Sequence, residues 1–174
     1  MPSHTDNAAS NPLPTAFFEQ PTLAVAQGLI GRSLCRKLSD KTLRLTITEV
    51  EAYDGPKDKA SHAHRGCTPR NAVMFGPAGR WYVYLCYGVH WLLNIVTGPV
   101  DYPAAILLRG AGKLQGPGRL TKALGVDQML NEQEATPSTG LWIESNGSAV
   151  NQDAIARLPR IGIDYAGPIW AQKP

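Results

Sequence analysis

Long apolar runs are missing from this sequence, and no stretch approaches the roughly 18 consecutive apolar residues of a membrane-crossing helix. Cysteine is scarce: Cys35, Cys67 and Cys86 are widely spaced and odd in number. They fit neither a disulfide framework nor a CxxC pair, and they favour a reducing, cytoplasmic setting. Excess charge is small as well, with 17 Lys and Arg against 14 Asp and Glu. That balance is compatible with a polyanionic partner but does not identify one. Met1 to Pro14 is polar and has no apolar centre, so it is not a secretory signal, and residues 1–15 are expected to form a disordered leader. Internal repeats and low-complexity tracts are absent. Gly116 to Lys122 lacks the spacing of a Walker motif and follows no βαβ unit, which argues against a nucleotide phosphate loop. What is present is 174 residues, 43% apolar, 18% charged, with mean hydropathy -0.19. This is enough for one hydrophobic core in a soluble globular domain, expected over 16–174.

Pro21 opens a segment in which Leu23, Ala24, Ala26, Leu29 and Ile30 recur at helical spacing until Gly31, which predicts a short amphipathic helix. Leu34 to Lys37 and Leu43 to Tyr53 flank the polar tetrapeptide Ser39-Asp40-Lys41-Thr42, the pattern of a β-hairpin. Trp81 to Cys86, Trp91 to Val96 and Ala104 to Leu108 read as further strands. The first two are joined through Tyr87-Gly88-Val89-His90, a turn that displays Tyr87 at its tip. A loop entering a helix is predicted over Gly116 to Leu124, and a last short strand near Ile161. Several strands with few, segregated helices and no βαβ rhythm indicate an α+β fold, a single domain with a mostly antiparallel sheet.

Two features of this layout point to chemistry. In the second hairpin strand the odd positions read Leu43, Leu45, Ile47, Glu49, Glu51, Tyr53, so the apolar row runs into two carboxylates and a phenol. Either the strand leaves the core there or it carries a carboxylate into a site. The segment Asp54 to Arg80, with three prolines and four glycines, is long for a connection inside a compact domain and has the character of a functional loop. Glu51, Tyr53 and His62, together with Tyr84, Tyr87, Asn94 and Arg109 on later strands, are therefore the candidate cluster. A buried carboxylate needs a partner, and an arginine at a strand end is a natural one. His62, His64 and Cys67 raise the question of a metal, but no accompanying CxxC or HExxH supports it. The hydrolytic deaminase pattern is also missing.

The local strings are more specific than their spacing. Glu49-Val50-Glu51-Ala52-Tyr53, Gly55-Pro56, His62, Thr68-Pro69-Arg70-Asn71, Met74-Phe75, Tyr82-Val83-Tyr84, Tyr87-Gly88, Asn94-Ile95, Leu107-Leu108-Arg109 and Gly116-Pro117 occur in this order. From Phe17 to Trp170 the chain resembles the alkyladenine (3-methyladenine) DNA glycosylase family. That resemblance implies a curved sheet with long DNA-binding loops, and a monofunctional base-excision repair enzyme acting on double-stranded DNA containing damaged purines. It would turn an alkylated or deaminated purine out of the helix, because the reacting sugar carbon is inaccessible within the stack.

By match to the family motif, Glu51 activates the water and Arg109 lies near that water, with a backbone carbonyl near Ile161 beside them. Tyr53, His62 and Tyr84 sandwich the base, and Leu107 lines the pocket. Asn94 collides with the guanine 2-amino group, and Tyr87 enters the gap left by the extruded nucleotide. Thr68, Arg70, Arg119 and Lys122, and also Arg65, are the candidates for phosphate contact. No metal, organic cofactor, membrane or obligate protein partner is implied, and the expected state is a monomer. No amine nucleophile matches a pocket position, so no lyase step is expected. Two departures stand out. The His62–Asn71 loop is a residue shorter than is usual in the family, and the chain ends soon after Trp170, where members often add a strand. Two rival readings remain at this stage: a non-catalytic binder of damaged or distorted DNA, and a hydrolase of free N-glycosides for which Tyr87 would be irrelevant.

Overall fold

The computed structural model describes residues 11–147 and 150–174. The leader expected over 1–15 falls outside the described residues as far as residue 10. From Asn11 onward the chain is ordered against the sheet: Pro12 bridges Glu144, and Leu13 N donates to Ile143 O at 2.8 Å.

Two short helices come first, α1 (Thr15–Phe18) and α2 (Thr22–Leu29), the latter starting just after Pro21. The predicted hairpin follows as β1 (Ser33–Leu38) and β2 (Lys41–Asp54), turning through Ser39 and Asp40. Next come β3 (Trp81–Cys86), β4 (His90–Val96), β5 (Ala104–Ala111), the short β6 (Leu114–Gln115), α3 (Pro117–Leu124), β7 (Leu141–Glu144) and α4 (Pro168–Ala171). The strands form one curled, antiparallel sheet in the order β3-β4-β5-β2-β1-β7, with β6 on β5. With its few flanking helices this is an α+β fold.

Two elements differ from the sequence reading. No strand forms near Ile161, where Pro159 precedes a backbone that turns through Gly162 at a φ of 74°. The Ile161 N–H goes to a side chain instead of a ladder. The last strand is β7, four residues long, which lengthens the sheet beside β1 after a polar stretch.

The main core lies on one face of the sheet. Trp81, Val83, Leu93, Ile95, Ile106 and Leu108 project from the strands onto Phe18, Val25 and Leu29 of the first helices and onto Leu120 and Leu124 of α3. Alternation along β2 predicts that Leu43, Leu45, Ile47, Glu49, Glu51 and Tyr53 share that face, and a bulge overturns this. Between Ile47↔Ala111 and Val50↔Leu108 the register slips on both strands, leaving Thr48 and Arg109 without a partner. A bulge re-aims the side chains beyond it. Leu43, Leu45 and Ile47 contact the core, then Val50 and Ala52 do, while Glu51 and Tyr53 turn to the opposite face. Gly110 permits the slip, because a Cβ there would lie 3.0 Å from Thr48 Oγ1 and 3.3 Å from Glu49 Cβ.

Candidate active site

The face opposite the core is a cleft of about 1070 Å³. Its floor is the second side-chain row of each strand. Tyr82 pairs with Asn94, Asn94 with Leu107, and Leu107 with Glu51, so one line of residues crosses β3, β4, β5 and β2. Tyr84, Leu92, Ala105, Arg109 and Tyr53 fill neighbouring positions on that face. The long 54–80 segment makes one wall, through single 3-10 turns at His62–Arg65 and Ala72–Phe75. Ala63, Val73 and Met74 of these turns pack on Tyr82, Val96 and Ala105. The other wall is the C-terminal segment, where Ile163 and Ala166 pack with Ala60 and against Tyr53 and Trp170.

Glu51 is 7% exposed on this floor. Its Oε1 accepts from Ile161 N at 2.8 Å and lies 3.4 Å from Arg109 Nη1, and its Oε2 accepts from Tyr53 Oη at 3.0 Å. The chain near Ile161 thus reaches the carboxylate through its N–H. The shorter bond of Arg109 runs from Nε to Glu49 Oε1, 2.8 Å. Glu49 is named in the strand row but absent from the candidate cluster, and its place two residues before Glu51 is the signal that it shares the arginine. Each carboxylate oxygen has two lone-pair sites. Oε1 faces two donors and Oε2 one, so one acceptor site on Oε2 is left for a further donor.

The rings stand around this carboxylate. His62 and Tyr84 have centroids 4.6 Å apart at 66°, and Tyr82 and Tyr84 are 5.1 Å apart at 37°. Tyr82 reads from sequence as strand packing, yet it lines the cleft and its hydroxyl is 3.0 Å from His62 Nδ1. His62 opens to solvent through the cleft mouth, but enough of its ring is packed that burial, helped by the Arg70 charge, holds its pKa below the usual imidazole value. Burial pushes the Tyr82 phenol up to about 12 and raises Tyr84 too, with Tyr82 and Cys86 adding to the latter. Tyr53 is raised by burial and by the Glu51 charge. All three phenols therefore keep their protons at neutral pH, and Tyr53 can donate to Glu51.

Asn94, 3% exposed, is fixed by donating from Nδ2 to Tyr82 O at 3.0 Å. Leu107 lies beside it on the floor. Tyr87 stands at the tip of the β3–β4 hairpin, 96% exposed, with a φ of 50° followed by 67° at Gly88. Val89 N closes this turn on Cys86 O at 3.0 Å, so it is a type I′ turn, which requires positive φ at both central residues. Arg70 lies on the cleft wall, its guanidinium 5.3 Å from the Tyr84 centroid and Nη2 donating to Leu85 O. Thr68 N donates to Asn71 Oδ1, and Asn71 Nδ2 donates to His62 O and Gly66 O, which ties this loop to the histidine. Arg119 and Lys122 are exposed on α3 and do not line the cleft, although Pro117 at the start of that helix does. His64 Nδ1 meets Pro56 O, away from the His62–Tyr82 contact. Among the described residues no group of three or more His, Cys, Asp or Glu gathers to hold a metal ion. The three cysteines carry free thiols. No helix among the described residues is long and apolar enough to cross a membrane.

A family model described as methylpurine-DNA glycosylase matches residues 16–115 and 111–172, nearly the whole described chain. The chain belongs to the methylpurine-DNA glycosylase family. Members of this family are DNA glycosylases, hydrolases of N-glycosyl bonds, which makes DNA the substrate and repair the setting. Among similar proteins, one from Psychrobacter cryohalolentis is 40% identical, covering 91% of this chain and 92% of its own. One from Methanocella arvoryzae is 41% identical, with 89% and 86% covered, and one from Frankia casuarinae is 43% identical, with 93% and 87% covered. All three are provisionally named 3-methyladenine DNA glycosylase.

Proposed function

We propose that this member is a monofunctional purine glycosylase that flips an alkylated or deaminated purine of the 3-methyladenine, 7-methylguanine, hypoxanthine and ethenoadenine class into the cleft and hydrolyses its N-glycosidic bond. The observation that carries this reading is the state of Glu51: buried on the floor of an open cleft, ringed by aromatic side chains, with one acceptor site of Oε2 uncommitted. That oxygen takes the proton of a water attacking C1′, and the carboxylate offsets the positive charge that grows on the sugar. Arg109, held by Glu49, keeps a positive charge beside Glu51, where it orients the attacking water. Tyr53, His62 and Tyr84 sandwich the extruded base, and an electron-poor alkylated purine gains most from electron-rich rings. Asn94, immobilised by its bond to Tyr82 O, stands where a guanine 2-amino group collides. Tyr87 fills the gap in the helix. Arg70 and Thr68 on the cleft loop contact phosphates nearest the lesion, with Arg119 and Lys122 further out. None of the residues proposed to hold the base carries an amine, and Lys59 on the cleft lining is exposed to solvent, so the product is an intact strand with an abasic site. The enzyme acts as a monomer.

The test uses labelled duplexes, each with one hypoxanthine, ethenoadenine or methylated purine, incubated with the protein in the presence of chelator. Strand breaks that appear only after hot alkali support the reading. Breaks without alkali contradict the monofunctional part. Intact strands across every lesion, despite measurable binding, indicate a damage binder.

A further inference from the structure

Behind the cleft wall lies an ion pair that the catalytic cluster does not include. The side chains of Arg160 and Asp58 are 7% and 3% exposed. Arg160 Nη1 donates to Asp58 Oδ2 at 2.6 Å and to Ala52 O at 3.1 Å, and Nη2 donates to Asp58 Oδ1 at 3.0 Å. Asp58 accepts two more bonds, from Asp54 N and Ala60 N. The guanidinium also lies over the Tyr53 ring, 5.0 Å from its centroid. One residue further on, Ile161 N donates to Glu51 Oε1, and Tyr165 Oη donates to Ala60 O.

Burying two charges is expensive, and apolar side chains of similar size commonly hold a chain in place as well or better. The value of this pair is geometric. A planar fork that engages Asp58 twice and Ala52 once fixes the C-terminal segment in register with the stretch of β2 that carries Glu51 and Tyr53. That segment makes no ladder with the sheet, so these side-chain bonds and the small cluster of Ala60, Ile163 and Ala166 are what seat it.

We infer that Arg160, clamped by Asp58, is a positioning residue: it seats the Ile161 amide on Glu51 and holds the Tyr53 ring, so that the carboxylate presents its uncommitted oxygen to the cleft. This rests on the reading of Glu51 as the general base. Arg160→Lys keeps the charge and loses the fork; Asp58→Asn keeps the shape and one acceptor oxygen. Both are made in the full chain, alone and combined with Glu51→Gln. Single-turnover excision of hypoxanthine is compared with affinity for a duplex carrying a tetrahydrofuran abasic analogue, which offers Tyr53 no base to stack on.

The expected result is a rate loss of about 10–100-fold in the single variants, the range for residues that orient a catalytic group. Abasic-duplex affinity stays within about 3-fold, and the same changes cost less than about 3-fold once Glu51 is already Gln, because coupled residues are non-additive. Three results overturn the inference: a rate near wild type, a loss equally large in the Glu51→Gln background, or a fall in abasic-duplex affinity that parallels the rate. If Arg160→Lys does not fold, Asp58→Asn carries the comparison; if neither folds, the pair is a structural prop and the inference fails. Full activity of Glu51→Gln alone instead overturns the reading of Glu51.

Discussion

Tyr87 sets stability against function in one residue. Its backbone is in the left-handed region with a φ of 50°, and its side chain is 96% exposed, so no packing offsets the cost in the free protein. A non-glycine residue held there costs about 1–2 kcal/mol, and asparagine followed by glycine is the preferred pair for a type I′ turn. Tyr87→Asn should therefore stabilise the protein by about 1 kcal/mol, raising Tm by roughly 2–4 °C for a chain of this size. The same change removes the ring proposed to fill the gap left by the flipped nucleotide, and unstacking costs a few kcal/mol per step, so excision from duplex should fall about 10–100-fold. Excision of the same lesion from single-stranded DNA should change far less. Thermal and urea unfolding, with Tyr87→Phe as the control that keeps both ring and strain, are run beside single-turnover excision on both substrates. A lower Tm refutes the strain argument. Unchanged duplex excision refutes the wedge.

Three further outcomes follow from the site. Because burial and Arg70 hold the His62 pKa below the usual imidazole value, the unfolded chain protonates first as pH falls. Stability associated with His62 is thus fully present above pH ~6.5 and is lost as pH falls from there toward the lower folded value. His62→Gln should flatten that part of the curve in urea unfolding; identical pH dependence contradicts it. Asn71→Ala removes three loop bonds from a side chain 2% exposed, leaving Thr68 N, His62 O and Gly66 O without these partners. The cost should be about 2–4 kcal/mol, and an unchanged urea midpoint contradicts it. Asn94→Ala should raise excision of undamaged guanine relative to hypoxanthine by about 10-fold or more, the scale of a lost steric block; an unchanged ratio removes Asn94 from discrimination.

The local elements were legible because their signals are local. The Ser39–Asp40 turn between two β-rich runs, the Tyr87-Gly88 tip and Gly116-Pro117 before a helix each announce themselves within a few residues. The candidate cluster was legible through strings such as Glu49 to Tyr53 and Leu107 to Arg109. What could not be read depends on partners far along the chain. The skipped Thr48 on β2 is followed by a skipped Arg109 on β5, about 60 residues further along the chain, and beyond this pair of slips Glu51 faces the cleft. Strict alternation places Glu51 among core residues, whereas the bulge places it in the cleft. Tyr82 looks like packing until His62, from a loop 20 residues earlier, meets its hydroxyl. The Ile161 segment has strand-like composition, but its amide is taken by Glu51, 110 residues away. The clamp of Arg160 by Asp58 likewise spans 102 residues and leaves no pattern in sequence.

The central claim is that Glu51 performs the chemistry and does not merely hold the wall. Glu51→Gln keeps the shape and an oxygen able to accept from the Ile161 amide, so the variant should fold and bind an abasic-analogue duplex as the wild type does. Single-turnover excision of hypoxanthine, measured for both proteins on the same duplex, should fall by about 10²–10⁴-fold, the usual contribution of a general base. A variant that binds and excises at the wild-type rate would contradict the account.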